Sequence, residues 1–299
     1  MMQTLELECI TPLFSYGADQ QVPQIRAASI RGQLHQWFRL LGNDFESERY
    51  IFGGISINKD RSPTGRKLED HAGRIMVRVG GLPDSSQHTE AATLPHKPGG
   101  AAAPKACFKS GTCFKLHIQE RLGGLGDKRQ AFEDCLQAWL HLGALGTRAN
   151  RGSGSLQIVN NGPKTPNGWE AFVNELEKRN KLQFIAKLLP TDYPNAEDAR
   201  KVITNTLGGP KPPPGAKPLS TINNPLGGIG RELRFGNRKS SPLKLRVLRF
   251  DDGQYRIAAV WDTRHQVTGN TIDDLKKVIQ LLTTQGNHPI GRELAAVFR

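Results

Sequence analysis

Apolar and polar residues alternate at the start of the chain. Leu5, Leu7 and Cys9 stand against Glu6, Glu8 and Ile10, so Thr4–Ile10 is predicted as a strand with one buried face. After a loop punctuated by Gly and Pro, Ile30, Leu34, Trp37, Phe38 and Leu41 recur at helical spacing, predicting a helix over Ile30–Leu41 ended by Gly42. Ser29 is placed to cap it, its hydroxyl accepting an N–H of the first turn. Asn43–Asp70 is polar apart from an apolar knot at Tyr50–Phe52. Arg74–Val79, RIMVRV, predicts a second strand, and the Pro-, Gly-, Ala- and Ser-rich stretch 82–106 predicts a long loop. Thr112–Gln119 alternates again, with Cys113, Lys115 and His117 on one face and Phe114, Leu116 and Ile118 on the other. Lys128–Leu142 carries the stripe Phe132, Cys135, Leu136, Trp139 and Leu140 of a second helix, with Gly143 at its end, and Ser155–Val159 is a fourth strand.

The order β-α-β-β-α-β within about 160 residues predicts an α+β protein built on a ferredoxin-like (RRM-like) core, the pattern shared with RNA-recognition modules. The second half is less regular. Trp169–Leu189 has helical character, as does Ala196–Leu207. The segment 208–218, GGPKPPPGAKP, excludes helix and central strand, since proline lacks a donor and glycine is entropically costly there. Leu243–Phe250 and Gln254–Trp261 predict a hairpin about the turn Asp251-Asp252-Gly253. Helices are expected over Thr271–Leu282 and Pro289–Phe298. This divides the chain into a first domain at 1–160 and a second, decorated ferredoxin-like domain at 161–299.

Charge changes the picture. The chain has 41 Lys+Arg against 28 Asp+Glu, a formal net charge of +13. Such an excess points to a polyanionic partner, nucleic acid before an anionic membrane surface. No run of about 18 apolar residues predicts a transmembrane helix, and the N-terminus has no apolar signal-peptide core. The four cysteines, Cys9, Cys107, Cys113 and Cys135, form no C-x-x-C pair, so no zinc site is expected and a cytoplasmic protein fits.

Three basic surfaces are candidates. On the first helix Arg31, His35 and Arg39 lie four apart along one flank, which suits either phosphate contact or simple solvation. Between the second helix and fourth strand lies GALGTRANRGSGS, Gly143–Ser155, where Gly146, Gly152 and Gly154 leave room for a phosphate and Arg148 and Arg151 supply charge. The same glycines also suit a tight structural loop. Toward the C-terminus Arg231, Arg234, Arg238, Lys239, Lys244, Arg246 and Arg249 cluster, with Lys244 and Arg246 on one strand face. They suit a phosphate track or a solvated edge strand. Tyr16 and Phe14 are candidates for base stacking. No metal or cofactor site is expected. Asp19 stands alone in its loop, which fits a turn better than a metal ligand. His35 could serve acid–base chemistry without a metal.

The segments TPL…GAD…P-x-I-R-x-x-S-I-R-G-x-L…W-F-R-x-L-G, then I-F-G at Ile51–Gly53, then L-G-x-R-x-N-R-G-x-G-S, resemble the RAMP superfamily of CRISPR effector proteins. Within it the chain resembles subunit one of the type III-B Cmr complex. The resemblance covers Leu5–Gly53 and Gly143–Ile158, with Ser241–Val247 similar to a strand of that family. It implies an RNA-binding, non-catalytic subunit of an RNA-guided complex, near the 3′ end of the guide. The implied partners are guide CRISPR RNA, single-stranded target RNA and other Cmr-type subunits, with no membrane. Arg26, Ser29, Arg31 and Gly32 fall on the family's helix-start signature and Arg39 on its helix-end position. Gly146, Arg148, Arg151, Gly152 and Gly154 fall on its glycine-rich loop. His35-Gln36 before Trp37 departs from the pattern. Some relatives of this type cleave RNA with a loop aspartate and a divalent metal, which would make Asp19 catalytic, or process guide RNA without metal, which would use His35.

Overall fold

The computed structural model describes residues 2–54, 72–95, 104–121, 123–207, 242–264 and 289–298, together with 276, 279, 280 and 283. The chain runs β1 (Met2–Cys9), α1 (Ala27–Leu40), α2 (Phe45–Phe52), β2 (Ile75–Gly80), β3 (His88–Ala92), β4 (Pro104–Phe108), β5 (Cys113–Glu120), α3 (Arg129–Leu142) and β6 (Leu156–Ile158). Then follow α4 (Pro166–Arg179), β7 (Phe184–Leu188), α5 (Ala196–Leu207), β8 (Leu243–Arg249), β9 (Tyr255–Asp262) and α6 (Pro289–Val297). This is a mixed α+β fold with antiparallel sheets. The first sheet has the order β2-β5-β1-β6, the second the order β7-β9-β8, and β3 pairs with β4 in a separate ribbon.

The alternating pattern sets the first sheet's register. Leu5 pairs with Leu116 and Leu7 with Phe114 across β1 and β5, so one face is continuous apolar surface. Helices α1 and α3 cover it, with Ile30, Leu34, Trp37, Phe38, Phe132, Leu136 and Trp139 all buried. The opposite face keeps Glu6 and Lys115 paired and exposed. The second sheet packs onto the same helical layer. Its face carrying Phe184, Ala186, Leu188, Ala258 and Val260 joins the first core, and Phe184 meets Trp37 edge-on at 5.6 Å. Its other face, with Leu245, Val247, Ile257, Ala259 and Trp261, is covered by α5 and α6. Both faces of the second sheet are therefore interior.

Several expectations are corrected. The apolar run after Trp169 is not one helix: α4 stops at Arg179, and Phe184–Leu188 is strand β7, held by β9. The stretch 82–106 is not all loop, since a 3-10 turn at Ser85–Gln87 leads into β3, and β4 begins at Pro104. Helix α1 begins at Ala27, three residues earlier than its apolar stripe suggests. Arg26 occupies the cap position without a side-chain bond, so Ser29 lies inside the first turn and caps nothing. Gly143 ends α3 in extended rather than left-handed geometry. Residues 208–218 lie outside the described residues, as does the helix expected over 271–282 apart from four isolated positions, counting 283, that are helical. Among the described residues no helix is long and apolar enough to cross a membrane.

Candidate nucleic-acid interface

Helix α1 and the glycine-rich loop meet through the segment that leads from β1 to α1. The backbone of this lead-in bonds directly to the loop: Gly154 donates to Pro12 O at 3.0 Å, Thr147 to Phe14 O at 2.7 Å, and Ile10 to Ser155 O at 2.8 Å. Two segments more than a hundred residues apart are thus laid backbone against backbone. That contact explains the glycines. Gly146 and Gly154 hold φ of 85° and 63°, and a Cβ at Gly154 would stand 1.9 Å from Leu145 O. A Cβ at Gly146 would stand 2.4 Å from Phe14 O. The loop's far side meets β8, where Gly152 donates to Leu245 O and Leu245 to Asn150 O. Gly152 itself lies against Ile203 of α5. The glycines of this loop are fixed by chain crossing within the protein. Arg148 and Arg151 are half-exposed at its outer turn, and Arg148 adopts a left-handed φ of 64°.

On α1 the expected basic flank divides in two. His35 and Arg39 are held by one buried carboxylate of α2. Nδ1 of His35 lies 2.6 Å from Glu48 Oε1, and Arg39 donates to both Glu48 oxygens at 2.7 Å. Burial raises the Glu48 pKa, but these hydrogen bonds and the Arg39 charge bring it below its ordinary value. Arg31 and Arg26 have no such partner among the described residues. Arg31 is half-buried, and burial together with Arg121 pulls its pKa down. Arg121, at the end of β5, was not singled out from sequence; an Arg directly before Leu-Gly-Gly at a strand end was the available signal. Gly32, one residue on from Arg31, is exposed in the second turn of α1, and a Cβ there would meet nothing within 4 Å. No internal contact calls for a glycine at this helical position, where alanine would be favoured.

The remaining candidates fall in different places. Tyr16 is half-buried and donates its hydroxyl to Ala106 O at 2.6 Å. Phe14 is fully buried beneath the Arg200 guanidinium, so it is not available for stacking. Asp19 accepts from the Gln21 N–H at 2.7 Å in a turn, and among the described residues no group of three or more His, Cys, Asp or Glu could hold a metal ion. Lys244 and Arg246 do not form the exposed strand face expected of them. They share the face of Ala258 and Val260, which looks into the first core. Lys244 lies 3.5 Å from Asp262, and its pKa is lowered by burial. Arg246 is 2% exposed and donates from Nη2 to Leu156 O. Arg249 is forked onto Glu8 at 2.6 and 2.8 Å. Arg231, Arg234, Arg238 and Lys239 lie outside the described residues. Sequence reasoning also missed Arg200, 1% exposed, which ties α5 to Ser153 of the glycine-rich loop and to Ala92 O of β3.

The family model of the RAMP superfamily matches residues 6–157. The CRISPR system Cmr subunit Cmr1-2 of Pyrococcus furiosus is 30% identical over 179 residues, which is 51% of this chain and 92% of the relative. The crystal structure of Cmr1 from Pyrococcus furiosus in its apo form superposes with a TM-score of 0.53 at 15% identity, covering 87% of each chain. A chain of the type III-B Cmr-beta complex bound to cognate target RNA gives a TM-score of 0.47 at 11% identity, over 87% of this chain and 94% of that one.

Proposed function

The chain belongs to the RAMP superfamily and groups with Cmr-type CRISPR subunits, and from that premise we propose that it is an RNA-binding structural subunit of a type III RNA-guided complex. Its partners would be guide and target RNA, near the guide 3′ end, and neighbouring Cmr-type subunits. The observation that carries the RNA contact is the start of α1. There Arg26 and Arg31 stand without a hydrogen-bond or ion-pair partner among the described residues, beside Gly32, a helical glycine that faces open space. A helix start with free guanidinium forks suits a phosphate. A missing Cβ lets a sugar–phosphate backbone lie against the helix. The half-exposed Arg148 and Arg151, brought near by the lead-in segment, extend this surface. The open face of the first sheet suits RNA less well, since Glu6, Lys115, His117 and Gln119 offer mixed charge and no aromatic platform.

We read the chain as two α+β units, 1–160 and 161–299. The all-antiparallel order β2-β5-β1-β6, with α1 and α3 as crossovers, supports a ferredoxin-like core in the first. The second, with its three strands and covering helices, is read as a decorated unit of related type. Anisotropy titration of fluorescent single-stranded RNA against salt tests the RNA reading. The log–log salt slope of the wild-type chain is expected to shrink by about 0.7 for each of Arg26→Ala and Arg31→Ala. Unchanged slopes and affinities in both variants would remove α1 from the interface.

One observation favours a second reading. Glu48 orients His35 through Nδ1, the arrangement in which an imidazole is poised for proton transfer at its other nitrogen. His35→Ala should then stop cleavage of repeat RNA in EDTA, and wild-type protein that leaves such RNA intact sinks this reading.

A further inference from the structure

The Arg31 side chain runs from α1 to the entry of β2. A Cβ at Gly73 would stand 3.3 Å from its Nη2, so the guanidinium lies against bare backbone there. The next residue, Arg74, accepts at its carbonyl from the Arg121 N–H at 2.8 Å, where β5 ends. Arginines from α1, the entry to β2 and the end of β5 thus meet at one corner of the fold. Arg74 is packed in place: its guanidinium lies 4.9 Å from the centre of the Tyr50 ring and against Gly123, which has no room for a Cβ beside it. Arg31 is half-buried and Arg121 exposed, and neither has a hydrogen-bond or ion-pair partner among the described residues.

The charge at this corner is not balanced by the neighbouring carboxylate. Glu120, next to Arg121, has both oxygens taken by the Arg129 fork. Burial and the repulsion of Arg121 draw the Arg31 pKa down, as expected of like charges held together without an anion. Two free guanidinium forks also bear on the shape of the missing partner. Where a fork meets a carboxylate here, one fork takes both oxygens, as Arg129 does on Glu120 and Arg249 on Glu8. Two forks on one group call for more oxygens than a carboxylate has, and a phosphate supplies them.

We propose that Arg31 and Arg121 form a two-armed clamp on a single RNA phosphate, with Arg74 fixed beside them as a further positive charge. The clamp rests on the RNA reading of α1 and adds to it a second arm and a direction, since the bound strand crosses from α1 to the end of β5. Either arm alone holds the phosphate loosely, so losing one releases it.

The test is anisotropy of fluorescent single-stranded RNA across a salt series, with the full chain as wild type, Arg31→Ala, Arg121→Ala, the double variant and Arg121→Lys. Arg121→Ala is expected to raise the RNA Kd by about tenfold and to shrink the log–log salt slope by about 0.7. The double variant should lose that same 0.7 in total, because both arms serve one phosphate. Arg121→Lys keeps the charge without the fork and should recover the slope but only part of the affinity. In thermal melting without RNA, Arg121→Ala should melt no lower than wild type, since it removes a repulsion and no internal bond. Should Arg31→Ala fail to fold, Arg121→Ala decides alone. Loss of binding in Arg31→Ala with none in Arg121→Ala would overturn the clamp and leave the α1 reading standing. No loss in either variant would overturn both. A double variant that loses about 1.4 in slope would show two separate phosphates and overturn the shared grip.

Discussion

Replacing Gly32 by alanine separates a fold effect from a binding effect, because the two should move in opposite directions. Gly32 lies in the second turn of α1, its φ is not in the left-handed region, and a Cβ there meets no atom within 4 Å. The substitution therefore removes backbone entropy from the unfolded chain at no steric cost. Helix propensity alone gives about 0.5–1 kcal/mol of added stability. For a chain of this size that is a rise in melting temperature of about 1–4 °C, read by differential scanning fluorimetry. If a sugar–phosphate backbone packs against the bare Cα, the added methyl overpacks that contact by about 1–2 kcal/mol, or a five- to thirtyfold rise in RNA Kd. Anisotropy at fixed salt measures it. A more stable variant that binds RNA as tightly as wild type would refute the close approach. A less stable variant would refute the open environment on which the argument rests.

The same change at Gly154 should have the opposite sign for the fold, since a Cβ in its left-handed backbone would stand 1.9 Å from Leu145 O. Gly154→Ala is expected to cost at least about 2 kcal/mol in urea unfolding, and a neutral result would contradict the chain crossing. Glu48→Gln should weaken the fold by about 1–3 kcal/mol at neutral pH, through its bonds to His35 and Arg39. It should also change the acid limb. The Glu48 carboxyl sits below its ordinary value in the folded chain, so its stabilisation is present above the unfolded-state value and lost as pH falls through the folded one. Unfolding followed between about pH 6 and pH 3 should then show a shallower loss in the variant, and parallel curves would contradict the pairing.

The elements from β1 to α3 are readable in the sequence because they stand half in water. The alternation in β1 and β5 and the stripes of α1 and α3 each report one covered face. Strand β7 was hidden for the opposite reason. Leu182, Phe184 and Ile185 continue the helical spacing of α4, and only pairing with β9 converts Phe184–Leu188 into strand. Strand β3, HTEAA, carries almost no apolar residues and exists through its ladder with β4. The burial of Lys244 and Arg246 was illegible because a charged alternate face reads as solvent-facing. Here the layer of α1, α3 and α4 covers it, a property of the tertiary fold rather than of β8. At the candidate interface the arginine and glycine positions were legible. Which arginines Glu48 and Glu8 would claim was not, since those carboxylates lie in other elements.

The glycine-rich loop also bears on how the molecule comes apart. Its Ser155 accepts at Oγ from Val247 N–H, 92 residues away, while its backbone meets Pro12 on one side and Leu245 on the other. Arg200 adds a tie from α5 to Ser153. Opening either sheet alone would strand these buried donors and acceptors. The two halves should therefore melt in one transition, and amides at 152, 154 and 247 should exchange with solvent only when the whole chain unfolds. A joint of this kind transmits strain, so a load placed on the lead-in to α1 reaches β8 through a few backbone bonds.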